Sequence, residues 1–291
     1  MTTTAEDTAR RGELGTFLRA HRERLAPAEV GLPVTARRRT PGLRREEVAA
    51  LSGVGVAWYT WLEQGRVDTS RQVLDAVSRT LRLDGDAHRH VLALAGFAPP
   101  RTSADAAPAG PPEHDNLRTM IAGWPDSPAL VLAPDLTITA WNTAYSTLWP
   151  DPGRLPADRR NLLLLLIDDP DHQRLLPAWE PFAQDLHRHF RAHADTLPGD
   201  DGVRALTERL HATRPDLAHW WACRSVGGFA PRTIEVTSRD RQLSYLVTLL
   251  TPAASAGTAP GSLLVHTPAP QSGRIATPEF TLPHLPNPPR P

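Results

Sequence analysis

At 291 residues, 40% hydrophobic and 22% charged, the chain is long enough for two ordinary globular domains, and its formal net charge of zero does not by itself announce a nucleic-acid partner. A single cysteine, Cys223, excludes an intramolecular disulfide framework and any multi-thiolate metal site. The longest apolar run, Leu162–Ile167, is far short of the roughly 20 residues of a membrane span, and the polar N-terminus has no signal-peptide core, so a cytoplasmic protein without membrane contact is expected.

Residues 1–12 read as a disordered lead-in. From Glu13, the string ELGTFLRAHRERL sets Leu14, Phe17, Leu18 and Leu25 near one stripe at helical spacing. A loop with Pro27, Gly31, Pro33 and Pro41 follows, carrying the basic run Arg37, Arg38, Arg39. GLRREEVAALSGVGVAWYTWLEQGR then predicts two short helices around a tight turn at Ser52–Gly53. Val48, Ala49 and Leu51 form the packing face of the first, Tyr59 and Leu62 that of the second, and Gly65 supplies the left-handed residue that closes it. RQVLDAVSRTLRL predicts a fourth helix with Val73, Leu74, Val77 and Leu81 inward. DAHRHVLALAG predicts a fifth, capped by Asp84 or Asp86 and ended by Gly96. Residues 13–97 are therefore expected to be an all-α, five-helix domain without a strand.

Two short helices joined across a Gly-containing turn form a helix-turn-helix, whose second helix can enter the major groove. The charge distribution agrees: residues 1–100 carry 15 Arg against 12 acidic residues, leaving 17 against 20 in the remainder. The chain has no Lys, so every basic contact is a planar, forked one. The outward positions of the second helix are Val56, Ala57, Trp58, Thr60 and Trp61. Val56, Ala57 and Trp61 offer no bidentate hydrogen bonding to bases, but they suit thymine methyls; base hydrogen bonds then fall to Thr60, Arg66 or the Arg37–Arg39 loop. For Trp58 and Trp61, filling the core or a dimer contact stands beside contact with DNA. For Arg37–Arg39, a solvated loop stands beside phosphate contact.

The segments ELGTFLRAHRERL, RRRTPGLRREEVAALSGV, YTWLEQGR, VLDAVSRTLRL and LALAG together resemble the Cro/lambda-repressor-type (XRE) helix-turn-helix domain. More narrowly, they resemble bacterial regulators that carry an MmyB-like ligand-binding domain. The resemblance implies that Arg45 meets a phosphate and that Arg22 pairs with Glu63 inside the fold. It also implies that Val56, Ala57, Trp58, Thr60 and Trp61 face DNA. Gly55 stands where such regulators often place a Ser or Thr, and is a weaker helix cap.

Residues 98–114, rich in Pro, Ala and small polar residues, read as a linker. Beyond it ALVLAPDLTITAWN is strand-like around a Pro-Asp turn, residues 159–221 are mainly helical, and TIEVTS, LSYLVTLL and SLLVHT are strand-like again. An α+β domain over residues 115–268 is expected, with a disordered Pro-rich tail over 269–291. ITAWN, RRN, IDDP, WEPFAQDLHRHFRA, LAHWWACRSV and SLLVHTPAPQS resemble the MmyB-like ligand-binding domain, which implies a PAS-like fold and a small apolar, fatty-acid-like ligand. RTIEVTSRDRQLSYLVTLL replaces that family's His-Pro stretch.

A sheet with helices across one face can enclose an apolar pocket. The candidate lining is Trp141, Asn142, Trp179, Arg191, Trp220 and Trp221, with plain core packing as the other reading for each Trp. Arg160, Arg191 and Arg224 are candidates for holding a ligand carboxylate, and the sequence does not choose among them. His189 and His193 lie four apart, but no HExxH pattern accompanies them, so a solvated helix rather than a metal site is expected. Nucleophile elbow, P-loop and dinucleotide fingerprint are all missing, so neither an enzyme nor a cofactor is expected.

Two functional classes follow. The first is a sequence-specific transcriptional regulator, a homodimer on double-stranded DNA whose affinity a small apolar ligand modulates. The second is a ligand-binding or protein-interaction module with a vestigial DNA domain, suggested by the apolar recognition face.

Overall fold

The computed structural model describes residues 5–33, 40, 42–97, 113–195, 201–222, 224–238, 241–251 and 261–269. Arg37, Arg38 and Arg39 fall outside them, as do Cys223, most of the expected linker and nearly all of the expected tail.

Helix α1 (Ala5–Arg24) opens earlier than composition implied, running back through much of the expected lead-in. Two causes hold it there. Glu6 and Asp7 occupy its first turn, where negative charge complements the helix dipole. Tertiary contact then fixes it, because Arg11 Nη1 donates to Asp68 Oδ1 at 2.9 Å. Gly65 (φ 67°) lies so close that an added Cβ would sit 2.9 Å from the Arg11 carbonyl carbon.

Helices α2 (Arg45–Ser52) and α3 (Val56–Glu63) flank Gly53, whose φ of 72° makes the tight turn. Helix α4 (Arg71–Thr80) is capped by Ser70, and α5 (Gly85–Leu94) by Asp84, which accepts from Ala87 N at 2.8 Å. The core is Leu14, Phe17, Leu18, Leu43, Val48, Tyr59, Leu62, Leu74, Val77 and Val91. Leu51 departs from its expected inward position and is 44% exposed. Helix α2 is two turns long, so its last turn overhangs the core, and Leu51 rims an open groove with Val30, Ala76 and Thr80.

The second domain is a mixed α+β unit. Helix α6 (Glu113–Ala122) leads into β1 (Ala129–Leu132), β2 (Ile138–Trp141) and α7 (Thr143–Leu148). Then come α8 (Leu162–Asp168), α9 (Pro170–Leu175), α10 (Trp179–Ala194), α11 (Asp201–Thr213) and α12 (Ala218–Ala222). Strands β3 (Arg232–Ser238), β4 (Arg241–Leu250) and β5 (Ser262–Pro268) complete an antiparallel sheet of order β2-β1-β5-β4-β3.

Period-two alternation divides the two faces of the sheet, broken in β2 by a register shift opposite Val131 and Leu132 that sends Ile138 and Ala140 to different sides. Leu130, Leu132, Ile138, Ile234, Val236, Val247 and Leu264 point into one large core with the helices, the arrangement that a PAS-like fold calls for. Ala129, Val131, Ala140 and Leu263 point the other way, beneath Leu117 and Ile121 of α6 and beside Trp124. The run Leu162–Ile167 forms α8, buried on every side, as a helix apolar all round must be.

The domains dock through α1 and α5 on one side and α10 with the 224–228 segment on the other. Arg224, held at φ 46°, pairs with Glu13. Gly228 N donates to Asp86 Oδ2 at 2.6 Å, and Arg188 Nη2 donates to the Val226 carbonyl at 3.3 Å. Val226 itself is buried in the N-terminal core.

Candidate DNA-binding face and ligand cavity

Helix α3 begins at Gly55, which caps it without a side-chain hydrogen bond. Val56, Ala57 and Trp61 are exposed, Trp61 to 48%. Trp58 is half-buried and packs against the N-terminal core, so it is tied to the fold as well as to the outer face. Thr60 Oγ1 donates to the Val56 carbonyl at 2.8 Å, which commits its proton to the helix and leaves an acceptor outward. Arg66 is exposed just beyond the helix, its backbone N–H bonded to the Trp61 carbonyl at 2.9 Å. Gln64, which the sequence reading passed over, is exposed at the helix C-cap. It is an amide of the type that reads adenine, and the only signal for it was its residue type in an apolar run.

Behind this face lies a charged cluster. The Glu63 carboxylate is almost wholly buried and takes two guanidinium groups: Arg22 Nε at 2.5 Å on Oε1 and Arg45 Nε at 2.7 Å on Oε2. Arg22 also donates to the Leu43 carbonyl at 2.8 Å. Burial works against the Arg22 charge, but the hydrogen bond and charge of Glu63 outweigh it and raise its pKa above the ordinary value. Arg22 also lies 3.3 Å from Glu23, which pairs with Arg19 at 2.8 Å. Of the two guanidinium groups on Glu63, Arg22 is buried and Arg45 is 38% exposed. Arg45 is thus anchored by Nε with its side chain partly in solvent.

In the second domain a small cavity of about 10 Å³ lies between sheet and helices. Leu162, Leu166, Phe182 and Leu264 form its apolar wall; Tyr145, Trp149, His172 and His266 form the rest. Trp149 and His172 stack at 5.7 Å between ring centroids, with planes 12° apart. Asp169 accepts from His172 Nδ1 at 2.5 Å, and His266 Nδ1 donates to the Pro128 carbonyl at 3.0 Å. Burial lowers the His172 pKa, with Asp169 opposing, and lowers that of His266 to about 4.

The residues expected to line a pocket are placed elsewhere. Asn142 caps α7, and its amide is spent on structure: the oxygen accepts from Ala129 N and Tyr145 N, the nitrogen donates to the Ile121, Trp124 and Ser127 carbonyls. Trp141 lies beneath Arg160 at 5.7 Å. Trp179 and Trp220 pair at 6.4 Å, with Arg214 over Trp179 at 5.3 Å. Arg191 pairs with Asp195 at 3.2 Å beside the domain junction, and Trp221 falls in α12. Among the described side chains, Trp141, Asn142, Trp179, Arg191 and Trp220 do not line the cavity. Of the carboxylate candidates, Arg160 donates to the Leu155 carbonyl at 2.9 Å and Arg224 pairs with Glu13.

The cavity residues left visible traces in the sequence. Asp169 caps α9 with His172 three residues on, and His266 alternates onto the inner face of β5. Neither pattern distinguishes a cavity from a filled core. Among the described residues no group of three His, Cys, Asp or Glu is placed to hold a metal ion, and no helix is long and apolar enough to cross a membrane.

Comparison with protein-family models matches residues 13–91 to a helix-turn-helix domain and residues 114–276 to the MmyB-like transcription regulator ligand binding domain. No curated protein matches the chain.

Proposed function

Because the chain belongs to the MmyB-like transcription regulators, a family of regulators rather than enzymes with a helix-turn-helix DNA-binding domain and a ligand-binding domain, we propose that it binds a two-fold operator in double-stranded DNA as a cytoplasmic homodimer, and that a small apolar ligand in its second domain sets that affinity. The observation that supports the DNA reading is the partly exposed Arg45 guanidinium, held by Nε on Glu63 at the end of α3. In this reading Arg45 meets a phosphate, Val56, Ala57 and Trp61 meet thymine methyls and groove walls, and Gln64 and Arg66 supply hydrogen bonds.

The docking of the domains supports regulation. It uses α1 and α5 and leaves Val56, Ala57, Trp61 and Arg66 open. Helix α10 spans both regions, with Phe182 on the cavity near one end and Arg191 beside the junction near the other. A ligand that binds unequally to two positions of this helix would shift DNA affinity by that difference and no more.

Footprinting the full chain on its own upstream region tests the assignment. Two protected half-sites about one helical turn apart, roughly 34–36 Å, are expected, and Arg45→Ala should weaken both. Absence of protection at moderate salt would overturn it and favour the ligand-binding or interaction module.

A further inference from the structure

Helix α4 ends beside an open groove of about 420 Å³ on the N-terminal domain. Its apolar lining is Val30 of the single-turn 3-10 helix Pro27–Val30, Leu51 near the end of α2, and Ala76 of α4. Arg79 and Arg82 also line it, and both are exposed. Among the described residues neither forms an ion pair, and the acids nearest to them in sequence are committed elsewhere. Asp75 Oδ1 lies 2.8 Å from His88 Nε2, and Asp84 accepts from Ala87 N at 2.8 Å as the cap of α5. The backbone does not explain Arg82 either. Its φ of 51° is the left-handed position that closes α4, where Leu83 N donates to the Ser78 carbonyl at 3.0 Å. Glycine fills such a position without steric cost. The chain thus keeps an arginine side chain on the groove at a place where the fold by itself favours none.

We propose that this groove is a docking site for an acidic segment of a partner protein, one that sets large apolar side chains between carboxylates. The apolar side chains lie against Val30, Leu51 and Ala76, and the carboxylates pair with Arg79 and Arg82, whose forked guanidinium groups match them in geometry. The mixed lining decides the class of partner. A nucleic-acid backbone would satisfy the two arginines but bring nothing apolar to Leu51, which is 44% exposed. A basic segment would face two like charges across the same groove. The arginines stand at the end of α4 opposite its Ser70 cap, about 15 Å along the axis from the end that follows α3. A segment held there adds a protein contact to the DNA and ligand reading above and does not depend on it.

The test is fluorescence anisotropy of the full chain with three fluorescein-labelled peptides: GSDELLDESG, GSKKLLKKSG and GSDEAADESG. The acidic leucine peptide should bind, and more weakly as salt rises. The basic peptide should not bind, and the alanine peptide should bind about tenfold more weakly than the first. Arg82→Gly should weaken the first peptide about threefold, the effect of one exposed ion pair, and Arg79→Ala should do the same. Arg82→Gly should also keep the melting temperature, since glycine adopts the left-handed position freely. Both variants should keep the operator footprint. Basic and acidic peptides binding equally, no binding of the acidic peptide up to about 1 mM, or binding unaffected by both variants would overturn the proposal. A footprint weakened by the two variants would assign their arginines to DNA phosphates and overturn it equally. A wild-type chain that takes the acidic peptide but protects no DNA would sink the operator reading alone, so the two failures are distinguishable.

Discussion

His90 of α5 lies in the core of the N-terminal domain, yet its Nε2 is 3.3 Å from Asp195 Oδ2, just beyond the end of α10 in the other domain. Burial pushes the Asp195 carboxyl up, but the contact with His90 and the charges of Arg191 and Arg224 outweigh it and hold the pKa below the ordinary 3.8. A carboxyl with a depressed folded pKa contributes stability above its ordinary pKa and loses it as the pH falls through the folded value. Domain docking should therefore be intact above about pH 4 and weaken below it. Asp195→Asn should undock the domains at neutral pH, seen as faster proteolysis of the 224–228 segment with each domain's own melting transition kept. An unchanged cleavage rate would mean that the contact carries no docking energy.

Acid should destabilise the second domain well above that range. Burial lowers the pKa of His187 to about 3 and that of His266 to about 4, whereas the ordinary value is 6.5. Both rings are neutral when folded and take up protons on unfolding. Their stabilising effect is full above pH 6.5 and declines as the pH falls towards 4. Each such group adds up to about 1.4 kcal/mol per pH unit, and His172, whose pKa burial also lowers, acts in the same direction. Urea titrations of the full chain between pH 7 and pH 5 read the summed slope, and His266→Phe should reduce it by one group's share.

Removing the buried carboxylate should cost far more than removing either end of a surface ion pair. Glu63→Ala strands the Arg22 guanidinium inside the protein, with an expected loss of about 3–5 kcal/mol in the N-terminal domain. Arg45→Ala leaves Glu63 its bond to Arg22 and should cost about 1 kcal/mol, because its side chain is partly in water. Denaturant midpoints of the two variants, compared with their DNA affinities, separate the structural role from the phosphate role: Arg45→Ala should lose more affinity than stability.

The two tryptophans of α3 should divide in the same way. Trp61→Ala should leave the melting temperature unchanged and weaken operator binding by about tenfold or more, since the side chain is half in solvent. Trp58→Ala should lower the melting temperature, because its ring packs against the core. If Trp61→Ala destabilises the fold while sparing DNA affinity, the ring is a packing residue instead.

Much of this architecture is local, and local features are legible. The helix periods, the turn at Gly53, the Asp84 cap and the alternation of β3, β4 and β5 depend on neighbours within a few residues, which the chain order records. The helix-turn-helix and its outward positions follow from the same short-range rules. Leu51 was misplaced because helical period alone does not say where a neighbouring helix stops covering it.

What the sequence by itself determined, then, is the two-domain plan, the five-helix and α+β classes, and the exposure of Val56, Ala57 and Trp61 on α3. Only the tertiary structure decided which groups share a space: Glu63 between Arg22 and Arg45, Asn142 spent on five backbone groups, and Trp149 with His172 around a cavity. It also placed Val226 of the second domain in the core of the first. The physical reason is that burial and pairing are properties of three-dimensional neighbours. A buried Trp that fills the core and one that carries an unspent N–H have the same spacing in the chain and differ only in what the fold brings within reach.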